Sequence, residues 1–234
     1  MIHFITAIDT DAGKSIATGV YARQLMQQGH RVITMKVAQT GCTGMSDDIV
    51  THRRLMGIDL LPEDVRGDTC PYLFPFPASP HLSAALAGQV IDPAHIEACV
   101  ARLSGDYDRV VVEGVGGLMV PLTRVRETGH ALSVPSVGGL VEPLAPGLLL
   151  IDWVAQQGWP VVLVTSARLG SINHTLLSLE AIHRRGMPLA GIIFNQYPPA
   201  PQAMAADTRE VIRGVVQRDF AGAFWMELPV VEME

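Results

Sequence analysis

The chain has 234 residues, 48% of them hydrophobic and 17% charged, with a formal net charge of -6. That is enough apolar material for one substantial α/β domain, and it excludes a disordered polyelectrolyte. The acidic balance gives no general reason to expect nucleic-acid binding, and no apolar run approaches the ~20 residues of a membrane helix. The N-terminus enters a strand-like segment without a cationic region and cleavage site, which argues against a signal peptide. Three widely spaced cysteines, Cys42, Cys70 and Cys99, suit a reducing cytoplasm and offer neither a disulfide framework nor a zinc motif.

In chain order, near-continuous apolar and β-branched runs predict buried parallel strands at Ile2–Ile8, Arg31–Lys36, Arg109–Glu113, Val161–Thr165 and Leu189–Asn195. Between the first two, Lys14–Gln28 places Ile16, Val20, Leu25 and Met26 near one side of a helix ending before Gly29. A second helix, Asn173–Arg185, carries Leu176, Leu177, Leu179 and Ile182 and stops at Gly186, with Pro188 beyond. Alternating strands and helices imply an α/β fold. Its sheet is doubly wound and mostly parallel, with helices on both faces and ligands gathered at the carboxyl ends of the strands. Residues 1–234 read as one domain. The Pro- and Gly-rich stretch Thr123–Gly147 is a loop insertion that is either a covering lid or a tolerated surface excursion.

The first strand leads into Ala7-Ile8-Asp9-Thr10-Asp11-Ala12-Gly13-Lys14-Ser15 and then a helix. Gly13 lets the backbone approach phosphate oxygens, and the N–H groups of Thr10 to Ser15 turn towards an anion. Lys14 supplies charge to the β/γ-phosphates of ATP, and the Ser15 hydroxyl can coordinate Mg²⁺. The full G-x-x-x-x-G-K-[ST] pattern requires glycine at Ile8, so only its Gly-Lys-Ser end is present.

Further candidates fall at predicted strand ends. Lys36 either meets an anion or snorkels to solvent at the strand exit. Glu113, before Gly114-Val115-Gly116-Gly117, is a magnesium ligand or an acidic turn residue. Asp47 is a helix-start acid that, placed beside Ser15 and Glu113, would complete an oxygen-rich Mg²⁺ site. Asn195 either reads a base edge or makes an Asx-turn. His81 and His174 lack metal-ligand company at suitable spacing and read as structural.

These segments resemble dethiobiotin synthetases along most of the chain. The resemblance rests on Asp9-Thr10 with Gly13-Lys14-Ser15, Lys36 to Gly41, Ser46-Asp47, Ser79-Pro80-His81 and Val112 to Gly117. It continues through Pro121-Leu122, Asp152-Trp153, Leu169 to His174, Asn195 and Glu227-Leu228-Pro229. It implies a P-loop NTPase-like enzyme that joins 7,8-diaminononanoate, CO₂ and ATP through a carbamic-phosphoric anhydride. In that reading Lys14 and Lys36 are catalytic, Ser15, Asp47 and Glu113 hold Mg²⁺, and Gly114, Val115 and Gly116 approach nucleotide by backbone. Asn195, Gln196, Leu228, Pro229 and Val230 frame adenine. Thr40, Gly117, Ser79 and Pro80 contact substrate. The turn Gly170-Ser171-Ile172-Asn173 captures the substrate carboxylate across a homodimer interface. Departures are Ala7 and Ile8 at the loop start, Val37 where proline usually follows the lysine, the long 123–147 segment, and an end at Glu234 where relatives usually continue. Other ATP-dependent amidoligases and nucleotide-switched partitioning ATPases share the general pattern.

Overall fold

The computed structural model describes residues 1–125 and 145–231. The chain runs β1 (Ile2–Ala7), α1 (Lys14–Gln27), β2 (Val32–Lys36), β3 (Gln39–Thr40), α2 (Asp47–Met56), α3 (Pro62–Val65), β4 (Leu73–Phe74), α4 (Pro80–Leu86), α5 (Pro93–Asp106) and β5 (Arg109–Glu113). It continues through β6 (Arg124–Val125), β7 (Ala145–Pro146), α6 (Leu150–Gln157), β8 (Val161–Ser166), α7 (Ser171–Arg184), β9 (Leu189–Asn195), α8 (Gln202–Asp219) and β10 (Phe224–Leu228).

Six strands form one sheet in the order β10-β9-β8-β1-β5-β2, with every neighbouring pair parallel. The apolar runs are continuous because helices cover both faces. Phe4, Val110, Val112 and Leu163 face one core, while Ile5, Val111, Val162 and Val164 face the other with Tyr21 and Leu25 of α1. Successive residues of a strand thus supply opposite layers, each buried branched side chain contributing about 1.5–3 kcal/mol.

The five predicted strands form with ends shifted by at most one residue. β10 escapes the apolar-run criterion because it is an edge strand, with four of its five residues only partly buried. Helix α1 stops before Gly29 as predicted, and Gly29 has φ 90°. Helix α7 begins at Ser171 rather than Asn173, because Gly170, at φ 92°, caps it two residues earlier.

From β1 the chain moves to one side to build β2 and β5, then to the other for β8, β9 and β10. The crevice at the carboxyl end of β1 is therefore the topological switch point of the sheet. Of the predicted 123–147 loop, residues 126–144 lie outside the described residues, and with them the lid reading. At its ends β6 and β7 pair antiparallel, and Leu148 N donates to Thr123 Oγ1 at 2.9 Å. Among the described residues, no helix is long and apolar enough to cross a membrane.

Candidate nucleotide and metal site

The loop after β1 shows why its first glycine is dispensable. Ile8, the first residue past β1, still hydrogen-bonds to the sheet, its N–H donating to Val164 O at 3.1 Å. The left-handed turns fall later, at Asp11 with φ 58° and Gly13 with φ 91°. Gly13 has a second reason to lack a side chain: a Cβ there would stand 2.3 Å from Asn195 Nδ2. That amide donates to Ala12 O at 3.1 Å, and its Oδ1 accepts from Tyr197 N at 3.0 Å. Asn195 is thus an Asx-turn residue that also pins the phosphate loop to the end of β9. Helix α1 opens at Gly13 without a side-chain cap or an acidic residue in its first turn. Its free N–H groups make an anion site. Lys14 Nζ lies beside the same loop and donates to Asp9 O at 3.0 Å.

Parallel register brings the next groups together. Lys36 pairs with Glu113 across β2 and β5, and Glu113 with Ile5 across β5 and β1. Lys36 Nζ lies 2.7 Å from Glu113 Oε1 and 2.6 Å from Asp48 Oδ2. Ser15 Oγ lies 2.7 Å from Asp48 Oδ1 and 3.1 Å from Glu113 Oε1, its one proton shared between two acceptors. Residues from the phosphate loop, two strand ends and a helix start therefore form one polar cluster.

Electrostatics set its members apart. Burial, then the neighbouring Lys36, pull the Lys14 ammonium down to about 8. Burial also opposes charge on Lys36, but Glu113 and Asp48 outweigh it and push that group up to about 12. For Glu113, burial favours the neutral acid. The Lys36 charge and the hydrogen bond from His52 overturn this and hold the carboxyl well below the usual carboxylate range. The arrangement holds charge where desolvation is costly, the signature of a functional cluster more than of a stabilising ion pair. Two ammonium groups face two carboxylates, so a polyphosphate would need further positive charge from the helix N-terminus and a cation.

The oxygen donors suit Mg²⁺. Ser15, Asp48 and Glu113 supply a hydroxyl and two carboxylates, a hard-oxygen set. Among the described residues there is no metal-binding group of three or more His, Cys, Asp or Glu side chains. This donor set therefore matches an ion shared with phosphate more than a cage built wholly from protein. Asp48, and not the expected Asp47, is the acid of α2 that meets Ser15 and Lys36. Ser46 caps α2 by accepting from Ile49 N at 3.3 Å, and Asp47 at the first helical position is exposed. The next residue turns inward. Helical spacing puts Asp48 on one face with His52 at an i, i+4 step, but it does not say which face of α2 turns inward.

A cavity of about 810 Å³ opens over this cluster. Thr10, Asp11, Gly13, Lys14, Ser15, Lys36, Thr40, Glu113, Val115, Gly116, Asn195 and Pro229 line it, as does Asp48. Ile16, Ala38, Gln39, Pro77, Tyr197 and Val231 line it too, none of them a candidate site residue on sequence grounds.

Other candidates sit elsewhere. Ala12 and Leu228 are core residues, and Gly114 packs under Phe4, whose ring a Cβ would approach to 2.8 Å. Gly117 and Val230 do not line the cavity, and Gln196 Nε2 donates to Glu227 at 3.1 Å. Ser79 precedes α4, at whose start Pro80 is buried. In the Gly170–Asn173 turn Ser171 is buried against Ser166. None of these four turn residues lines the cavity, and Leu169 beside them is 91% exposed. His81 is held by Pro121 O at 3.1 Å, consistent with its structural reading.

Comparison with known proteins gives a consistent assignment. The family described as an AAA domain matches residues 3–129 and 125–231. The ATP-dependent dethiobiotin synthetase BioD of Chlorobaculum tepidum is 48% identical over 98% of this chain and 85% of its own length. BioD 2 of Pasteurella multocida is 43% identical over 93% of this chain and 92% of its own. A ParA family ATPase from Chlorobium tepidum TLS superposes with a TM-score of 0.51 at 15% identity. That match covers 99% of this chain and 85% of the other, a likeness of fold alone.

Proposed function

The chain belongs to the family of ATP-dependent dethiobiotin synthetases, and from that membership we propose that it makes dethiobiotin from 7,8-diaminononanoate, CO₂ and ATP. The observation that carries the proposal is convergence. Lys14 and Ser15 after β1, Asp48 of α2, and Lys36 and Glu113 at neighbouring strand ends line one cavity.

One substrate amine adds to CO₂, loses a proton and becomes a carbamate. A carbamate oxygen attacks the γ-phosphorus and ADP leaves, giving a carbamic-phosphoric anhydride. The second amine attacks the activated carbonyl, loses a proton and expels phosphate, closing the urea. Phosphoryl transfer asks the protein for positioning and charge neutralisation. Lys14 and the N–H groups opening α1 hold the β/γ-phosphates. Lys36, kept charged by Glu113 and Asp48, faces the transferring phosphoryl group and the carbamate. Ser15, Asp48 and Glu113 would hold Mg²⁺, which when bound neutralises charge on phosphate oxygens. Thr40, which lines the cavity, would position substrate, and Val115 and Gly116 would approach the nucleotide by backbone. Tyr197, Pro229 and Val231 give adenine an apolar mouth, with Asn195 beside it.

A homodimer is part of the proposal. Gly170 to Asn173, the segment that would capture the substrate carboxylate, lies off the cavity of its own chain, and exposed Leu169 adjoins it. That placement suits delivery of the turn to a second copy, and light scattering checks it by mass. We also read residues 1–234 as one ligase domain, since a single sheet draws strands from Ile2 to Leu228. A cytoplasmic setting fits the free thiols Cys42, Cys70 and Cys99.

The test is mass-spectrometric detection of dethiobiotin after incubation with ATP, magnesium, bicarbonate and the diamine. Phosphate release that depends on neither amine nor bicarbonate, with no cyclic urea formed, refutes the proposal.

A further inference from the structure

Behind the site lies a polar chain that the reaction scheme does not use. His52 is fully buried on the face of α2 that also carries Asp48. Its Nε2 lies 2.6 Å from Glu113 Oε2, and its Nδ1 lies 3.1 Å from Thr34 Oγ1. Arg53, the next residue, donates to the same Thr34 Oγ1 at 2.7 Å and grips Asp64 through Nε and NH2 at 2.8 and 2.7 Å.

An ionised carboxylate only accepts, so His52 Nε2 carries a proton and donates it to Glu113 Oε2. In the neutral ring Nδ1 is then the acceptor and takes the Thr34 hydroxyl proton, while Thr34 Oγ1 accepts from Arg53. One oxygen of Glu113 is thereby committed to the interior. The other, Oε1, is the atom that meets Ser15 and Lys36 in the cavity.

We infer that His52 is a positioning residue, aiming Glu113 so that Oε1 alone is presented to the cation and phosphate. The inference rests on Glu113 being a magnesium ligand. A glutamate's terminal torsion is broad and roughly two-fold, so a carboxylate free at Oε2 can swing both oxygens towards Lys36 and blunt its aim at the ion. Thr34 and Arg53 act one step further back by holding the imidazole's tautomer and ring orientation. Partners of this kind typically change metal affinity by about 10–100-fold when removed.

The test measures binding, apart from turnover. Calorimetry gives the affinity of β,γ-methylene-ATP with and without Mg²⁺, and the ratio is the magnesium enhancement. In His52→Leu the enhancement should fall by about 10–100-fold, while affinity in the absence of Mg²⁺ stays at the wild-type value. His52→Gln, whose amide nitrogen can donate from the Nε2 position, should keep most of the enhancement. Thr34→Val, which leaves Glu113 and His52 in place, should lose part of it, and it decides the matter together with His52→Gln if His52→Leu does not fold. Wild-type enhancement in His52→Leu or Thr34→Val overturns the inference, as does an equal loss in His52→Gln and His52→Leu. Glu113→Gln separates the two levels. Full enhancement in that variant removes Glu113 as a ligand, whereas its loss there beside normal His52 variants removes only the role of His52.

Discussion

Adjacent aspartates at the start of α2 offer a sharp contrast. Asp48 lies 2.7 Å from Ser15 Oγ and 2.6 Å from Lys36 Nζ, and its side chain is 21% exposed. Asp48→Asn keeps the shape but removes a charged oxygen from the proposed ion and one of two counter-charges from Lys36. Losing such a preorganised contact costs about 2.7–4 kcal/mol, or roughly a hundred- to a thousandfold in kcat. Partial exposure lets solvent compensate, which places the expectation near the hundredfold end, with a raised Mg²⁺ requirement. Glu113 still neutralises Lys36 at 2.7 Å, so the fold should persist. Asp47→Asn touches only an exposed acid at a helix N-terminus, worth about 0.3–1 kcal/mol of stability. For a chain of this size that is a fall of about 1–4 °C in Tm. The assay is phosphate release at saturating diamine and bicarbonate across a magnesium titration, beside a thermal melt. Loss of turnover in Asp47→Asn with Asp48→Asn near wild type refutes the assignment and the reading of α2 behind it.

Lys14→Ala and Lys36→Ala should each lower kcat about a hundredfold or more, but only the second should unfold easily. Removing Lys14 relieves a charge that burial and Lys36 disfavour, whereas removing Lys36 strips the fully buried Glu113 of its ammonium partner at about 3–5 kcal/mol. Urea titration distinguishes them, and equal stabilities contradict the cluster's electrostatics. Gly13→Ala forces a side chain into φ 91° and onto Asn195 Nδ2, at about 1–2 kcal/mol for the backbone and about 0.5–1.5 for the displaced hydrogen bond. In a double-mutant cycle Asn195→Ala should recover part of that loss, and strict additivity counts against the clash. Asp64 gives a pH signature. Burial pushes its carboxyl up, but Arg53, Leu61 N–H and Thr69 hold it below 3.8. A depressed folded value means stability present above about pH 4 and lost as the pH falls through the folded value. Asp64→Asn should be less stable at neutral pH, and its melts should vary less with pH in the acid window. A wild-type acid slope in that variant excludes Asp64 as its source.

Much of this site is legible in the sequence. β-branched runs ending in Lys36, Glu113 and Asn195 identified strand ends, because a charged or amide group closing a buried strand needs a local reason to be there. Gly13-Lys14-Ser15 between a strand and a helix identified the phosphate loop even with Ile8 in place of glycine. Less legible were features fixed by orientation. Neighbours in sequence, Asp47 and Asp48 differ by one helical step, about 100°, and only packing of α2 against the sheet decides which one turns inward. Asn195 offered a base contact or an Asx-turn. Proximity to Ala12, 183 residues away in sequence, adds a third role that no local pattern encodes.

Local chemistry determined which segments become strands and which residues can bear charge, since periodicity and residue type act over a few positions. Tertiary structure alone decided the company those charges keep. Register across β1, β5 and β2 sets Lys36 beside Glu113, and α2 then brings in Asp48 and His52. Coulomb energy and desolvation depend on distances through space, and separation along the chain does not set those distances.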